Sequence, residues 1–431
     1  MPSLQDMRPE DLQRHEAALV EEFEALRGRN QNIDMTRGKP SAAQLDLSND
    51  LFGMVTAEDY CGDDGTDYRN YGAQSGIPEA KALFAEWLGV PTANIFIGGN
   101  SSLQLMYDAL SRAMLFGVPS GASGGNTPWR DVEDISFICP IPGYDRHFAV
   151  CETLGIRMIT VDMQDDGPDM DAVEALVADN PAIKGIWCVP KYSNPSGIVY
   201  SAEVTKRLAE MKTAAPDFRI MWDNAYAAHN FAGELAQIDN IFDVAAQAGH
   251  PDRPLLFAST SKVTLPGAGI AVVASSTANM ADILHHTSMA TIGHDKLNQL
   301  RHVRFFGDVA GLHQHMDKHG ELLRPKFAAV TGALEAAFAG KDFAQWNAPQ
   351  GGYFVSVDLS DGCATETVRL ASEAGLKLTP AGSCHPYGDD PQDRTLRLAP
   401  TFPTLDEVKQ AMEIFCVSAE LACTRKRLAE L

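Results

Sequence analysis

The sequence predicts an α/β fold of the doubly wound type, in which helices cover both faces of a mostly parallel sheet. From about residue 80 to residue 275, short apolar runs alternate with segments whose apolar residues recur at helical spacing. The short runs are apolar almost throughout, as in parallel strands that are buried on both faces. The chain has 431 residues, 45% of them hydrophobic, which allows two or three packed units with their own cores.

Six apolar runs are the predicted strands of this region, since each is too short for a helix. They are NIFIGG (94–99), ISFICP (135–140), IRMITVDM (156–163), GIWCVP (185–190), FRIMWDN (218–224) and LLFAST (255–260). The intervening segments have apolar residues three and four positions apart, which predicts helices on the sheet faces. These are PEAKALFAEWLG (78–89), SSLQLMYDALSRAML (101–115), DMDAVEALVADN (169–180) and AEVTKRLAEMKTA (202–214).

The C-terminal part has a different pattern, which predicts a smaller α+β unit. A helix (321–340), an alternating strand (351–359), a helix leading into a strand (364–380), a strand (394–400) and a last helix from Thr404 follow one another. A further helix is predicted near the start of the chain, from about Pro9, where it would pack with this unit. The predicted division is an N-terminal segment (1–50), a large domain (51–315) and a small domain (316–431).

Charge and composition limit the classes of function. With 35 basic and 57 acidic residues the net charge is −22, which disfavours binding to nucleic acids or to anionic membrane surfaces. The first residues lack the apolar core of a signal peptide, and no apolar run approaches the roughly 18 residues of a membrane span. The eight cysteines form no C-x-x-C pair, and no histidine spacing indicates a metal site. We therefore expect a cytoplasmic protein with buried free thiols and no bound metal.

Five strand ends carry polar residues, and ligands of open α/β sheets bind beyond the carboxyl ends of the strands. Each residue has an ordinary explanation when it is taken alone, such as a helix N-cap for a serine or a turn for an Asn-Pro pair. Together they supply a phosphate cradle, an aromatic ring, an amide, an acid, a phenol and an amine. The residues are Ser101, Ser102, Tyr144, Asn194, Asp223, Tyr226, Ser259, Ser261 and Lys262.

This set of groups matches what pyridoxal 5′-phosphate (PLP) requires. Lys262 lies among small and apolar residues in STSKVTLPGAGI (259–270), which suits an amine with a lowered pKa in a site that excludes water. Asp223 follows an apolar strand and would keep the ring nitrogen of the cofactor protonated. Opposite charges about 4 Å apart gain roughly 4 kcal/mol at a dielectric constant of 20, or about three pKa units for that nitrogen.

The chain resembles the class I/II superfamily of fold-type I PLP-dependent aminotransferases, and within it a divergent subgroup of bacterial aspartate aminotransferases. The resemblance runs from DMTRGKPS (34–41) to LRLAPTFP (396–403), nearly the whole chain. Its motifs are SNPSG for N-P-[ST]-G, DNAY for D-x-A-Y, STSK for S-x-[SA]-K, GGYFV for G-G-x-F and RLAPTF for the arginine segment near the C-terminus. They occur in the order and with the approximate spacings of that superfamily.

The resemblance implies a role for each matched residue. Lys262 would form the Schiff base with PLP and then act as acid and base, while Asp223 would pair with the pyridinium nitrogen. Tyr226 and Asn194 would bind the ring oxygen and Tyr144 would stack on the ring. Further residues would bind the phosphate (Ser101, Ser102, Ser259 and Ser261), the phosphate of the neighbouring subunit of a homodimer (Tyr71), and the substrate (Gly38, Asn194 and Arg397).

The sequence departs from the family pattern at one place. Many relatives carry a phosphate-binding arginine eight residues after the Schiff-base lysine, where this chain has Ile270. Our hypothesis is that Lys296 supplies the missing charge, because the stretch GHDKLNQLRHVRFF (293–306) aligns where relatives send residues into the neighbouring site.

The sequence leaves the substrate open. Aspartate, with 2-oxoglutarate as acceptor, follows from the subgroup resemblance alone, and a dicarboxylate needs a second cation near its side chain. Arg37, Lys39, Arg301 and Arg304 are equal candidates for it. The alternatives are an aminotransferase for aromatic or aminoadipate-type amino acids, a PLP-dependent C–S lyase, and a non-catalytic relative of the transcription-regulator type. The last is disfavoured by the negative charge and by the lack of a basic module before residue 34.

Overall fold

The structure is a computed structural model that describes residues 4–120 and 126–431. Its helices are α1 (Pro9–Arg27), α2 (Ala42–Asp46), α3 (Pro78–Leu88), α4 (Ser102–Phe116), α5 (Asp145–Thr153), α6 (Met170–Asp179), α7 (Ala202–Glu210), α8 (Ile241–Gln247), α9 (Thr277–Thr287), α10 (Lys296–Phe306), α11 (Val309–Phe338), α12 (Ala364–Glu373) and α13 (Leu405–Ala429). Its strands are β1 (Ile33–Asp34), β2 (Ile95–Ile97), β3 (Ser136–Ile141), β4 (Arg157–Gln164), β5 (Gly167–Pro168), β6 (Ile183–Cys188), β7 (Arg219–Asp223), β8 (Pro254–Ser259), β9 (Ala271–Ser275), β10 (Ala344–Trp346), β11 (Val355–Leu359), β12 (Leu376–Lys377) and β13 (Thr395–Leu398). None of the described helices combines the length and the apolar character that crossing a membrane requires.

An eight-stranded sheet forms the centre of the fold, in the order β2-β9-β8-β7-β6-β3-β4-β5. The five strands from β8 to β4 are parallel to one another. The predicted α/β class with a mostly parallel sheet is therefore confirmed. Because these strands run the same way, the chain leaves β3, β6, β7 and β8 at one edge of the sheet, and the residues that follow them meet there.

The apolar runs of the sequence are explained by burial on both faces of this sheet. In β7, Ile220 and Trp222 pack into one apolar cluster and Met221 packs into another on the opposite face. Successive strand residues point to opposite faces, so a strand covered on both sides must be apolar at every position.

The N-terminal helix packs against the C-terminal part of the chain. Leu12, Phe23 and Leu26 of α1 share one apolar cluster with Phe415 and other residues of α13. An ion pair between Arg425 and Glu16 joins the two helices at 3.0 Å, and Arg29, just after α1, pairs with Glu413 of α13 at 2.6 Å. A three-stranded antiparallel sheet, β10-β11-β13, contributes to the same cluster.

Two of the features that were not predicted concern the surroundings of Lys262 and the domain boundary. The strand β9 follows the Lys262 loop and pairs antiparallel with both β8 and β2, so this side of the sheet is mixed. The helix α11 begins at Val309, not near residue 321, and continues to Phe338. The predicted boundary between residues 315 and 316 therefore falls inside one helix, and the division into three segments stays a prediction.

We expect Gly185→Ala to destabilise the fold. A Cβ at this position in β6 would lie 2.7 Å from the carbonyl oxygen of Arg219 and closer still to the ring of Phe137. Overpacking of this kind costs about 1–3 kcal/mol, so thermal unfolding monitored by circular dichroism should show a lowered midpoint. Gly53→Ala is the matched control, because no atom lies within 4 Å of its Cβ. Equal midpoints for the two variants would contradict the packing described for β6.

Candidate active site

A cleft of about 450 Å³ opens at the carboxyl edge of the sheet, between the sheet and the C-terminal part of the chain. Six of the predicted site residues line it: Gly38, Tyr144, Asn194, Tyr226, Lys262 and Arg397. Its other lining residues are Thr36, Arg37, Asp145, Arg146, Phe354, Thr379, Pro380 and Ser383. The residues come from the N-terminal segment, from the strand ends and from the small sheet, so the fold brings together parts that are distant in the sequence.

Lys262 follows the end of β8 and keeps partial exposure to the cleft. Its Nζ atom lies 4.8 Å from the ring centroid of Tyr226 and 5.7 Å from that of Tyr353. Removal of the amine from bulk water lowers the pKa of Lys262; the charge of Asp223 opposes the shift and that of Arg397 adds to it. Lys262 is therefore an amine that reaches its neutral, nucleophilic form more easily than a surface lysine does.

Asp223 is the last residue of β7 and is only 3% exposed. Its Oδ2 atom accepts a hydrogen bond of 3.0 Å from Nε2 of His147, whose ring stacks on Trp187 with centroids 4.1 Å apart. Its Oδ1 atom has no partner among residues 4–120 and 126–431. A buried carboxylate with one oxygen held and the other unpaired is suited to a cationic N–H group of a ligand.

Sequence reasoning missed His147. It stands three residues, or one helical turn, after Tyr144, which was among the predicted strand-end residues, so this spacing was the available signal.

Arg397 lies in β13 and is 7% exposed, with its guanidinium directed at the cleft. The Nη1 atom donates to Oδ1 of Asn194 at 3.2 Å and to Oδ1 of Asp145 at 3.3 Å, and Nη2 donates to Oγ1 of Thr379 at 3.4 Å. Its Nε atom has no partner within the described ranges. This arginine is held in place and still has a donor available for an anion.

Gly38 and the two tyrosines complete the lining. A Cβ at Gly38 would lie 2.5 Å from Cζ of Phe354, and the Phe354 ring in turn lies 4.8 Å from the Arg397 guanidinium, so only glycine fits there. Burial raises the pKa of Tyr226 and raises that of Tyr144 to about 12. Both phenols are therefore protonated at neutral pH and can donate hydrogen bonds.

The predicted serines lie beside the cleft and not in its lining. Ser101 caps α4 by accepting from the backbone N–H of Gln104, and Ser102 is the first residue of that helix. The Ser261 hydroxyl donates to the Asn100 carbonyl at 3.0 Å, and the backbone N–H of Ser261 donates to Oγ of Ser259 at 3.4 Å. The N-terminus of α4 is thus tied to the Lys262 loop, as an anion site next to that lysine requires.

Tyr71 and Lys296 lie outside the cleft of their own chain. Tyr71 is 81% exposed, and Lys296 is the first residue of α10. Ile270 is buried in the apolar cluster on one face of the sheet, and its N–H donates to Oγ1 of Thr260 at 2.9 Å.

The structure distinguishes the four candidates for the second cation by their contacts. Arg304 pairs with Asp59 at 2.7 Å, Arg301 donates to Oδ1 of Asn298 at 2.7 Å, and Nζ of Lys39 lies 3.7 Å from the ring centroid of Phe402. Only Arg37 among them lines the cleft, where it is joined by Arg146, which sequence reasoning missed.

A buried polar network supports the main chain at Lys262. The Lys262 carbonyl accepts from Nε2 of His229 and from the hydroxyl of Tyr353, both at 3.3 Å, and the next carbonyl, that of Val263, accepts from Nε2 of His315 at 2.8 Å. His319 lies 3.2 Å from His315. Burial lowers the pKa of His229 and of His319 to about 3 in each case.

Comparison with known proteins gives a consistent family match. The family model for aspartate amino-transferase matches residues 7–430. A putative aminotransferase of Mycolicibacterium smegmatis is 46% identical over 99% of this chain and 100% of that protein. An aspartate aminotransferase of Corynebacterium glutamicum is 44% identical over 95% of this chain and 94% of that protein.

Solved structures agree with these sequence matches. The crystal structure of an aspartate transaminase from Corynebacterium glutamicum has a TM-score of 0.95, with 43% identity and 99% of each chain covered. The α-aminoadipate aminotransferase of Thermus thermophilus, solved with N-(5′-phosphopyridoxyl)-L-leucine, has a TM-score of 0.73 over 93% of this chain and 94% of that one. At 20% identity the second match shows the fold alone.

The neutral histidines behind Lys262 predict a loss of stability in acid. Because the folded pKa of His319 is about 3 and the unfolded value is about 6.5, the unfolded chain binds the extra proton between these limits. Stability should therefore fall as the pH drops from about 6.5 towards 3, by up to about 1.4 kcal/mol per pH unit for this group.

The measurement is urea unfolding of wild type and His319→Gln between pH 7 and pH 4. The variant should lose less of its remaining stability over this interval, whereas His285→Gln, at an exposed position, should follow the wild-type slope. Parallel slopes for all three proteins would show that His319 contributes nothing to the acid sensitivity.

Proposed function

The chain belongs to the aspartate amino-transferase family, and on that premise we propose that it uses PLP to move the amino group of L-aspartate to 2-oxoglutarate. Aminotransferases of this fold depend on PLP, and the family match extends over residues 7–430. The choice of aspartate is supported by the aspartate aminotransferase of Corynebacterium glutamicum, at 44% identity.

The observation that carries the proposal is the state of Asp223. Its Oδ2 atom lies 3.0 Å from Nε2 of His147 and is hydrogen-bonded to it. Its Oδ1 atom is buried and has no partner in the described part of the chain. The protonated nitrogen of a pyridine ring would satisfy that second oxygen. The tyrosine, amide and lysine that PLP also needs line the adjoining cleft, so the residues present fit the cofactor.

Each group would hold a different part of the cofactor. Asp223 would bind the ring nitrogen, Tyr226 and Asn194 would donate to the ring oxygen, and Tyr144 would lie against the ring. The phosphate would rest at the N-terminus of α4, with the hydroxyls of Ser101, Ser102, Ser259 and Ser261 around it. When bound, PLP supplies an electron sink that lets the α-carbon of an amino acid lose its proton.

The chain itself supplies the proton transfer and the orientation of the substrate. Lys262, whose pKa is lowered by burial, would take the α-proton at its Nζ atom. Arg397 would bind the α-carboxylate with its planar guanidinium, with Gly38 leaving room at its side. The contacts of Arg397 to Asn194 and Asp145 fix the guanidinium before the substrate arrives, which favours a defined geometry at the α-carbon.

We also propose that two copies of the chain form a homodimer in the cytoplasm. Tyr71, Met289 and Ile292 are large apolar or aromatic residues that are 81%, 80% and 60% exposed. They belong to neighbouring segments, because Gly293 packs against the backbone of Gly72. A second copy that covers this surface would give Tyr71 and Lys296 access to the phosphate of the other subunit.

A half-reaction without an acceptor tests the amino transfer. Purified protein loaded with PLP should absorb visible light, and addition of L-aspartate alone should replace this band by the near-ultraviolet band of the aminated cofactor. Lys262→Ala should lose the visible band at neutral pH and retain the circular dichroism of the folded chain. Conversion by aromatic amino acids, with none by aspartate or glutamate, would overturn the proposed substrate.

The phosphate cation is tested separately. If Lys296 reaches the phosphate across the dimer, Lys296→Ala should weaken PLP binding about tenfold or more, the usual value of a charge-assisted hydrogen bond. Equilibrium dialysis gives the dissociation constant, and Lys318→Ala, on the exposed side of α11, is the control. An unchanged constant for Lys296→Ala would remove this residue from the cofactor site.

A further inference from the structure

We propose that Arg37 and Arg146 together form the binding site, here called the receptor, for the second carboxylate of the substrate. A single subunit would then bind both carboxylates of a dicarboxylic acid. The inference rests on the proposed amino transfer at this cleft, and it assigns the cation that the sequence left open. Both arginines line the cleft with Arg397.

Arg37 is placed beside Arg397 by a short series of hydrogen bonds. Nη2 of Arg397 donates to Oγ1 of Thr379 at 3.4 Å, and the Thr379 hydroxyl donates to the carbonyl of Thr36 at 2.6 Å. Arg37 is the next residue, and Gly38 after it packs against Phe354, whose ring lies 4.8 Å from the Arg397 guanidinium. The backbone at Arg37 is therefore fixed next to the residue that would hold the α-carboxylate.

Arg146 reaches the cleft from α5, a different part of the fold from Arg37. It follows Asp145, whose Oδ1 atom accepts from Nη1 of Arg397 at 3.3 Å, near the start of α5. Tyr144, one residue before this aspartate, also lines the cleft. Arg37 and Arg146 thus join Arg397 in the lining of one cleft from two different parts of the fold.

The charges of the cleft leave these two guanidinium groups without an anion. The charged lining residues are Arg37, Arg146, Lys262, Arg397 and Asp145, four cations and one carboxylate. Asp145 is engaged by Arg397, and neither Arg37 nor Arg146 forms an ion pair within the described ranges. A cationic cleft in a chain of net charge −22 attracts and retains an anionic ligand.

The cofactor phosphate does not account for these cations. The serines that would hold it, at the N-terminus of α4 and in the Lys262 loop, are absent from the lining of the cleft. Arg37 and Arg146 are instead at the end where Arg397 and Gly38 lie, which is the end of the substrate.

The exposure of these two side chains also suits the exchange of one substrate for the other. Arg37 and Arg146 are both exposed, and long side chains that are not locked by ion pairs can adjust their reach. An aminotransferase that accepts an amino acid of four carbons and an oxo acid of five must bind a second carboxylate at two distances. Two independent guanidinium groups meet this requirement with one fixed contact at Arg397.

The test compares dicarboxylates with monocarboxylates of similar size on the PLP-loaded, full-length protein. Calorimetry gives the dissociation constants of succinate and butyrate without turnover, and steady-state kinetics gives kcat/KM for L-aspartate and L-alanine. In Arg37→Gln and Arg146→Gln, the preference for succinate over butyrate, and that for aspartate over alanine, should each fall about 10- to 100-fold. The loss in kcat/KM should lie mainly in KM, and the double variant should lose most of both preferences.

Two further variants separate the alternatives. Lys39→Gln is the matched control, because this cation is two residues from Arg37 but stacks on Phe402 outside the cleft, and it should keep both preferences. Unchanged preferences in the double variant would overturn the proposal, as would a loss caused by Arg301→Gln alone, which would place the receptor on α10. If no amino acid is converted by wild type, yet succinate binding still depends on Arg37 and Arg146, the proposed reaction fails while the receptor stands.

Discussion

The buried carboxylate of Asp223 is the constraint on which the rest of the site depends. An unpaired charge in a protein interior costs several kcal/mol, so its surroundings must supply donors. His147 supplies one and is itself held by the Trp187 ring, which the two-sided sheet buries. The second oxygen has no partner in the described part of the chain, and the proposed cofactor would satisfy it with a cationic N–H group.

Arg397 constrains how the C-terminal part of the chain meets the large sheet. It belongs to the small sheet, yet its hydrogen bonds are with Asn194 after β6 and with Asp145 in α5. The cleft therefore exists only because this strand of the small sheet docks on the strand ends of the large one. In the proposed function, the cofactor would be held by residues that follow the strands of the large sheet and the substrate carboxylate by the small sheet, so a bound amino acid would bridge the two.

The strand ends show how much a sequence can predict. Parallel strands buried on both faces are recognisable from their composition, and the direction of the chain then places Asn194, Asp223 and Lys262 at the same edge without any knowledge of contacts. Family resemblance added Gly38 and Arg397, whose neighbours lie hundreds of residues away. The domain division and the roles across a dimer stay predictions, since a single chain tests neither.

Other features could not be predicted from the sequence, because they depend on packing between distant elements. Arg146 and Arg301 look alike in the sequence, because both are arginines in helical segments. The structure shows that Arg146 lines the cleft, whereas Arg301 donates a hydrogen bond to Asn298 of its own helix. The strand β9 was missed because its pairing with β8 reverses direction after the Lys262 loop. The start of α11 was missed because His315 and His319 look polar in the sequence although they are buried.

The helix α11 has a mechanical consequence for the lysine. Its 30 residues span about 45 Å, and its N-terminal half carries His315 and His319 beneath the Lys262 loop. Its C-terminal half ends at Phe338, in the apolar cluster shared with α1 and α13. One continuous helix therefore contacts both the main chain behind Lys262 and the unit that carries Arg397, with Pro325 between the two contacts. Because an interior proline removes a backbone hydrogen bond, the helix can bend between the lysine loop and the small unit.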